Sequence, residues 1–188
     1  GTNSITVTWG AAGAGTVQLV ETVSASGCFT STANYNVTVN PNPTPVISGD
    51  NSVCANETGV VYSTPAAGGR TYVWAIAGGV ITGGAGSNSI TVTWGAAGAG
   101  TLQLTETITA TTCAVTTGLY NVTINANPTP VIAGNATVCS NATGVVYSTA
   151  NVIGNTYAWT VGGGSITAGA GTNSITVTWG AAGAGTVQ

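Results

Sequence analysis

Ser89-Ile90-Thr91-Val92-Thr93-Trp94 alternates apolar and polar residues without interruption. Built from Ile, Val, Thr and Trp at period two, it buries Ile90, Val92 and Trp94 together only as a strand, with Thr91 and Thr93 on the other face. The same six residues stand at positions 4–9 and again at 174–179. The hexapeptide thus returns at a constant 85-residue step, and the rest of the chain keeps it. Cys28 corresponds to Cys113, Cys54 to Cys139, Tyr35 to Tyr120, Tyr62 to Tyr147, Trp74 to Trp159 and Glu21 to Glu106. A fixed period marks a tandem array, and an 85-residue unit is too long for a solenoid rung but suits a small domain.

Around the hexapeptide lie further short β-branched runs at 45–47, 59–64, 71–77, 80–82, 101–110 and 119–125. Leu102, Leu104, Glu106 and Ile108 alternate with polar residues, and no stretch sustains a 3.6 period. Glycine clusters, Gly83-Gly-Ala-Gly86 and Gly95-Ala-Ala-Gly-Ala-Gly100, are expected to be loops between strands. About seven short strands per repeat predict an all-β fold of tandem immunoglobulin-like β-sandwiches. The five tryptophans, Trp9, Trp74, Trp94, Trp159 and Trp179, are expected in the sandwich cores, each burying roughly 200 Å². A competing role for Trp94, Tyr72 and Tyr120 is a sugar-stacking platform.

The joints are placed at Asn40-Pro-Asn-Pro-Thr-Pro45 and Asn125-Ala-Asn-Pro-Thr-Pro130, where proline fixes φ and stiffens the spacer. Residues 1–43 are then the C-terminal part of one repeat, 44–128 a complete repeat, and 129–188 the N-terminal part of a third. On this division the chain is a slice of a longer polypeptide.

Composition removes most chemistry. Five of 188 residues are charged (Glu21, Asp50, Glu57, Arg70, Glu106), with no His, Lys or Met. One cation cannot neutralise a phosphate backbone, which argues against nucleic-acid partners. The residues for acid–base or nucleophilic catalysis, for Cys/His zinc sites and for calcium loops are lacking, so no catalysis, metal or cofactor is expected. The apolar runs are broken by Thr, Ser and Asn, so no membrane insertion is expected within this segment.

Cysteine spacing offers no Cys-x-x-Cys pair. Cys54 with Cys113 would close one domain on itself; Cys28 with Cys54 would staple neighbours across a proline joint; reduced thiols are the third possibility. The first is preferred, with Cys28 and Cys139 pairing outside the window, and it implies an oxidising, extracellular setting. Asn-x-Thr occurs at Asn36, Asn56, Asn121, Asn135 and Asn141, a weak signal in so Asn- and Thr-rich a chain. Glu106, in phase with Leu104, needs a partner if it points inward, and no cation repeats with it. A backbone N–H, a Tyr hydroxyl or an edge-facing position is expected to answer this.

The order Val53-Cys54, Tyr62-Ser63, Tyr72-Val-Trp74, Ser89-Ile-Thr-Val-Thr-Trp94, Cys113 and a terminal Tyr-x-Val-x-Ile resembles the PKD-like repeats of Bacteroidetes cell-surface proteins, including gliding-motility adhesins. That resemblance implies an immunoglobulin-like fold, secretion, and a stalk or adhesive role without catalytic residues. The expected function is therefore a structural and adhesive segment of a long surface filament. Its expected partners are neighbouring repeats, laterally associated copies and surface glycans. A carbohydrate-binding module, and a filament subunit completed by strand exchange, are the alternatives. An ice- or mineral-binding face is disfavoured, because its Thr-Val-Thr units recur only once per 85-residue repeat.

Overall fold

The computed structural model describes residues 3–188; Gly1 and Thr2, where the first repeat begins, lie outside the described residues. The chain forms two compact units, one through Asn127 and one from Pro128 to Gln188.

The first unit opens with β1 (Gly13–Val17), β2 (Val20–Thr22), β3 (Phe29–Ser31) and β4 (Tyr35–Val39). β1 pairs antiparallel with β4, and β2 with β3. Residues 4–9 form no strand, although their sequence is that of Ser89–Trp94.

The rest of this unit is a complete sandwich. Its strands are β5 (Ser52–Cys54), β6 (Val60–Ser63), β7 (Arg70–Ala77), β8 (Gly79–Gly83), β9 (Ser89–Trp94), β10 (Gly98–Ile108), β11 (Ala114–Thr116) and β12 (Tyr120–Asn125). One sheet runs β6-β9-β8. The other is built on β10, which takes β7 along one edge and β12 then β11 along the other, while β5 adds to β12 in parallel. A bridge from Ser48 to Ser63 ties the entering chain to the first sheet before it crosses to the second as β5. This is the immunoglobulin-like arrangement of two facing, mainly antiparallel sheets.

Alternation puts the core where period two requires. Ile90, Val92 and Trp94 face Tyr72, Trp74, Leu102, Leu104, Val122 and Ile124 across the sandwich, all buried. At roughly 25 cal/mol per Å² of apolar area, such paired inner faces are the main stabilising term. Two expectations change. Residues 45–47 are not a strand; Val46 N–H donates to the Thr64 hydroxyl, Ile47 packs against the core, and only the following Ser48 bridges to Ser63. Gly98 and Gly100, expected in a loop, begin β10. The cause is Trp94, whose ring lies on the strand: a Cβ at Gly100 would sit 2.3 Å from its Cζ3.

The second unit comprises β13 (Ala133–Gly134), β14 (Val145–Ser148), β15 (Val161–Gly162), β16 (Gly164–Ala168), β17 (Ser174–Trp179) and β18 (Thr186–Val187). Its registers repeat those of the first at the 85-residue offset. Val145 opposes Val177 as Val60 opposes Val92, and Val161 opposes Val187 as Ile76 opposes Leu102. Even the bulge between Ile81 and Gly83 recurs between Ile166 and Ala168.

Candidate functional site

The aromatic centre of the complete sandwich is built from β6 and β9. Tyr62 and Trp94 meet edge to face at 5.9 Å, and Trp94 Nε1 donates to the Tyr62 hydroxyl at 3.2 Å. That hydroxyl donates onward to the Asp50 carbonyl at 2.7 Å. Burial raises the Tyr62 phenol above its ordinary value, and the hydrogen bond from Trp94 opposes this only in part. Tyr120 packs against Tyr62 at 6.0 Å and donates to the Gly49 carbonyl. Trp74 Nε1 donates to the Ser87 carbonyl at 2.9 Å.

This geometry answers the aromatic expectations. Trp74 and Trp94 are core residues, and Trp159 and Trp179 pack half-buried against the smaller core of the second unit. Trp9 is not a core residue: it is 39% exposed where Trp94 is 1%. Among the described residues, 5–9 pair with no strand, whereas Trp94 lies on β9 between β6 and β8. The sugar platform fails in the complete unit because Trp94 and Tyr72 are both inside.

The cysteines do not pair within a unit. Cys54 closes β5 opposite Asn125, beside the Gly98 end of β10. Cys113 sits in the turn at the other end, where its carbonyl accepts from Ile108 N–H. The strand between those ends is 11 residues long, about 33 Å at ~3.3 Å per residue, whereas a disulfide needs Cα atoms within ~7 Å. The expected Cys54–Cys113 bridge is therefore corrected: all four thiols are free, three of them exposed. The parallel β5–β12 pairing, invisible to spacing, sends Cys54 to the far pole.

Glu106 is corrected as well. It points inward on β10, opposite Tyr72, and its Oε1 accepts from Arg70 Nη1 at 2.8 Å. Arg70 lies two residues before Tyr72 on the same face of β7, so its guanidinium reaches in diagonally from the sandwich rim. The Glu106 side chain is 4% exposed and that of Arg70 27%. The chain's one cation thus serves its one buried carboxylate. At the equivalent of Arg70 the second unit has Asn155. Glu57, at a turn where Asn56 has φ +60°, accepts from Cys54 N–H at 2.7 Å.

Apart from Glu21, Asp50 and Glu57, what remains outward is uncharged. The five Asn-x-Thr asparagines are all exposed, and the outer positions of β9 and β10 are Thr, Ser and Gln. Among the described residues no group of three or more His, Cys, Asp or Glu could hold a metal. Among the described residues no helix is long and apolar enough to cross a membrane.

Sequence reasoning missed β5 and β11, each three residues long and too short for a period to show. It also missed the small residue under each tryptophan. A Cβ at Gly15, Gly100 or Gly185 would strike Trp9, Trp94 or Trp179, always six residues earlier, and that constant spacing was available as a signal.

No curated protein matches the chain. A family model for PKD-like domains matches residues 40–119 and again 124–188. The first segment begins in the first proline-rich joint and the second one residue before the next joint, and the strands they cover share registers. The chain belongs to the PKD-like domain family, in tandem copies set at the 85-residue step.

Proposed function

We propose that this chain is a non-catalytic structural segment of a secreted cell-surface filament or adhesin, of the kind borne by Bacteroidetes. Each β-sandwich is a rigid link and each proline-rich stretch a joint limiting bend. The domain division that serves this reading is 1–43, 44–128 and 129–188. The observation that carries it is the repetition of one sandwich at an invariant 85-residue step, register for register. An array selected for chemistry diverges at its sites, whereas one selected for length and uniform mechanics repeats.

The near-absence of charge fits the same use. With a net charge of −3 over 188 residues, neighbouring copies feel little mutual repulsion, and their contacts depend little on salt. Exposed Thr, Ser and Asn leave hydrogen-bonding surfaces suited to lateral association or to glycans.

Force spectroscopy on a tandem of several 85-residue repeats tests this. Each unfolding should release about 250 Å, roughly 85 residues at ~3.5 Å less the folded length, in evenly spaced steps. Irregular or single-event extension would refute a chain of equal mechanical links.

A further inference from the structure

Every strand at the margin of the complete sandwich is guarded except one. β5 and β11 are three residues long. β6 is overlaid by the entering chain, through the paired Ser48 and through Gly49, where a Cβ would lie 2.9 Å from the Val61 carbonyl oxygen. β8 is broken by its bulge between Ile81 and Gly83. Short edges, bulges and covering segments are the devices by which sheets avoid pairing with other chains. β7 has none of them. It runs from Arg70 to Ala77 in unbroken register with β10 and pairs with no other strand among the described residues. It contains no proline or glycine, and after Arg70 it carries no charge.

The register shows which groups of β7 are open. Arg70 opposes Ile108, and one residue earlier the Gly69 carbonyl accepts from Thr109 N–H. Hydrogen-bonded residues alternate along an antiparallel ladder, so Thr71, Val73, Ala75 and Ala77 bond to β10. The N–H and C=O groups of Arg70, Tyr72, Trp74 and Ile76 then point away from it. The other flank of β10 agrees: Ile108 N–H donates to the Cys113 carbonyl, which leaves the odd-numbered residues of β10 for β7. The outward groups of β7 have no partner among the described residues. The side chains of Thr71, Val73 and Ala75 are exposed on the outer face, Val73 at 65%.

We propose that β7 is the lateral contact between copies of this chain, pairing antiparallel with the β7 of a second copy about a two-fold axis at Val73. Only even-numbered residues face the edge, so the two strands align even with even. The register centred on Val73 uses all four of them. Arg70 lies opposite the partner's Ile76 and Tyr72 opposite the partner's Trp74, with the reciprocal pairs, each pair exchanging two hydrogen bonds. Centring on Tyr72 or Trp74 engages only three. On the outer face Val73 meets the partner's Val73, and Thr71 lies beside the partner's Ala75. The two Arg70 residues stay at opposite ends, ~20 Å apart at ~3.3 Å per residue, so the lone cation does not oppose the contact. The occupant is a second copy because the register that satisfies every open amide is self-complementary, and a net charge of −3 leaves little repulsion between copies. One strand a side is far short of the roughly 20–30 residues a side of a stable interface, so a single repeat pairs weakly. Where the 85-residue step recurs, many weak pairings act together; that last step rests on the array reading above.

Cross-linking of the 188-residue chain reads this contact directly. In the paired strands, residue 73 would face its counterpart at a Cα separation of ~4.5 Å, which suits a disulfide. The background carries Ser at Cys28, Cys54, Cys113 and Cys139, three of them exposed positions. There, Val73→Cys should be oxidised by diamide to a covalent dimer about ten-fold or more faster than Val80→Cys, a comparably exposed valine on the other sheet. Thr71→Cys and Ala75→Cys should each cross-link slowly alone and rapidly when mixed, because position 71 meets the partner's position 75 and not itself. The cross-link reads β7 alone and the force experiment reads single chains, so either can fail without the other. Equal rates for Val73→Cys and Val80→Cys, or a mixture of Thr71→Cys and Ala75→Cys no faster than its parts, would overturn the proposal.

Discussion

Trp94 governs what can stand at position 100. Its ring lies flat on β10, 1% exposed, and a methyl group at Gly100 would overlap it at 2.3 Å. Gly100→Ala should therefore destabilise the complete sandwich by about 1–3 kcal/mol through forced repacking. Gly118→Ala, in open space, should stay within about 0.5 kcal/mol. Urea unfolding followed by Trp94 fluorescence compares the two. Tyr62 makes a second residue-level prediction. Tyr62→Phe strips Trp94 Nε1 of its acceptor and should cost about 1–3 kcal/mol at neutral pH. Because burial raises the folded-state pKa of Tyr62 above its ordinary 10.0, the folded chain holds that proton more tightly than the unfolded one. That contribution is whole below pH 10 and fades as pH rises through the folded value. The wild type should lose stability over this range with a component that Tyr62→Phe lacks, read from denaturation midpoints between pH 9 and 12.

At the scale of elements, one hexapeptide takes two conformations. Ser-Ile-Thr-Val-Thr-Trp is a strand at Ser89–Trp94 and Ser174–Trp179 but not at residues 4–9. The difference is pairing: β9 lies between β6 and β8 and β17 between β14 and β16, whereas residues 5–9 pair with no strand among the described residues. Strand existence was legible in the alternation of Ile90, Val92 and Trp94, because a half-buried strand writes its period into the sequence. Pairing was not, because register and the parallel sense of β5 on β12 are properties of contacts far apart in the chain. For that reason the cysteines could be counted but not paired. Glu106 could likewise be seen to face inward without its partner being found. Arg70, 36 residues away, becomes its neighbour only through the β7–β10 register. Arg70→Met should leave Glu106 buried and unpaired, costing about 1–3 kcal/mol, less than for a fully buried pair because Arg70 keeps partial contact with water. Adding Glu106→Gln should recover part of that loss, since a neutral amide is cheaper to bury than a lone carboxylate. A double-mutant cycle by urea unfolding reads the coupling.

At the scale of the molecule, cohesion rests on facing sheets rather than on covalent staples or charge. A bridge closing some 60 residues would add ~4 kcal/mol, enough in a domain of this size to move Tm by well over 10 °C. The poles at which Cys54 and Cys113 lie forbid it, so a thiol reductant should leave the calorimetric Tm unchanged within about 1 °C. Thiol titration of the folded chain should find three fast-reacting cysteines and a slower fourth, Cys113, the one half-buried. Salt should matter as little. With five charged residues in 188, and one ion pair sheltered at a sandwich rim, raising sodium chloride from 10 mM to 0.5 M screens almost nothing that holds the fold. A fall in Tm of more than 10 °C with reductant would restore an intra-domain bridge and contradict the β5–β12 pairing. A comparable fall with salt would place the cohesion in charges that this chain barely possesses.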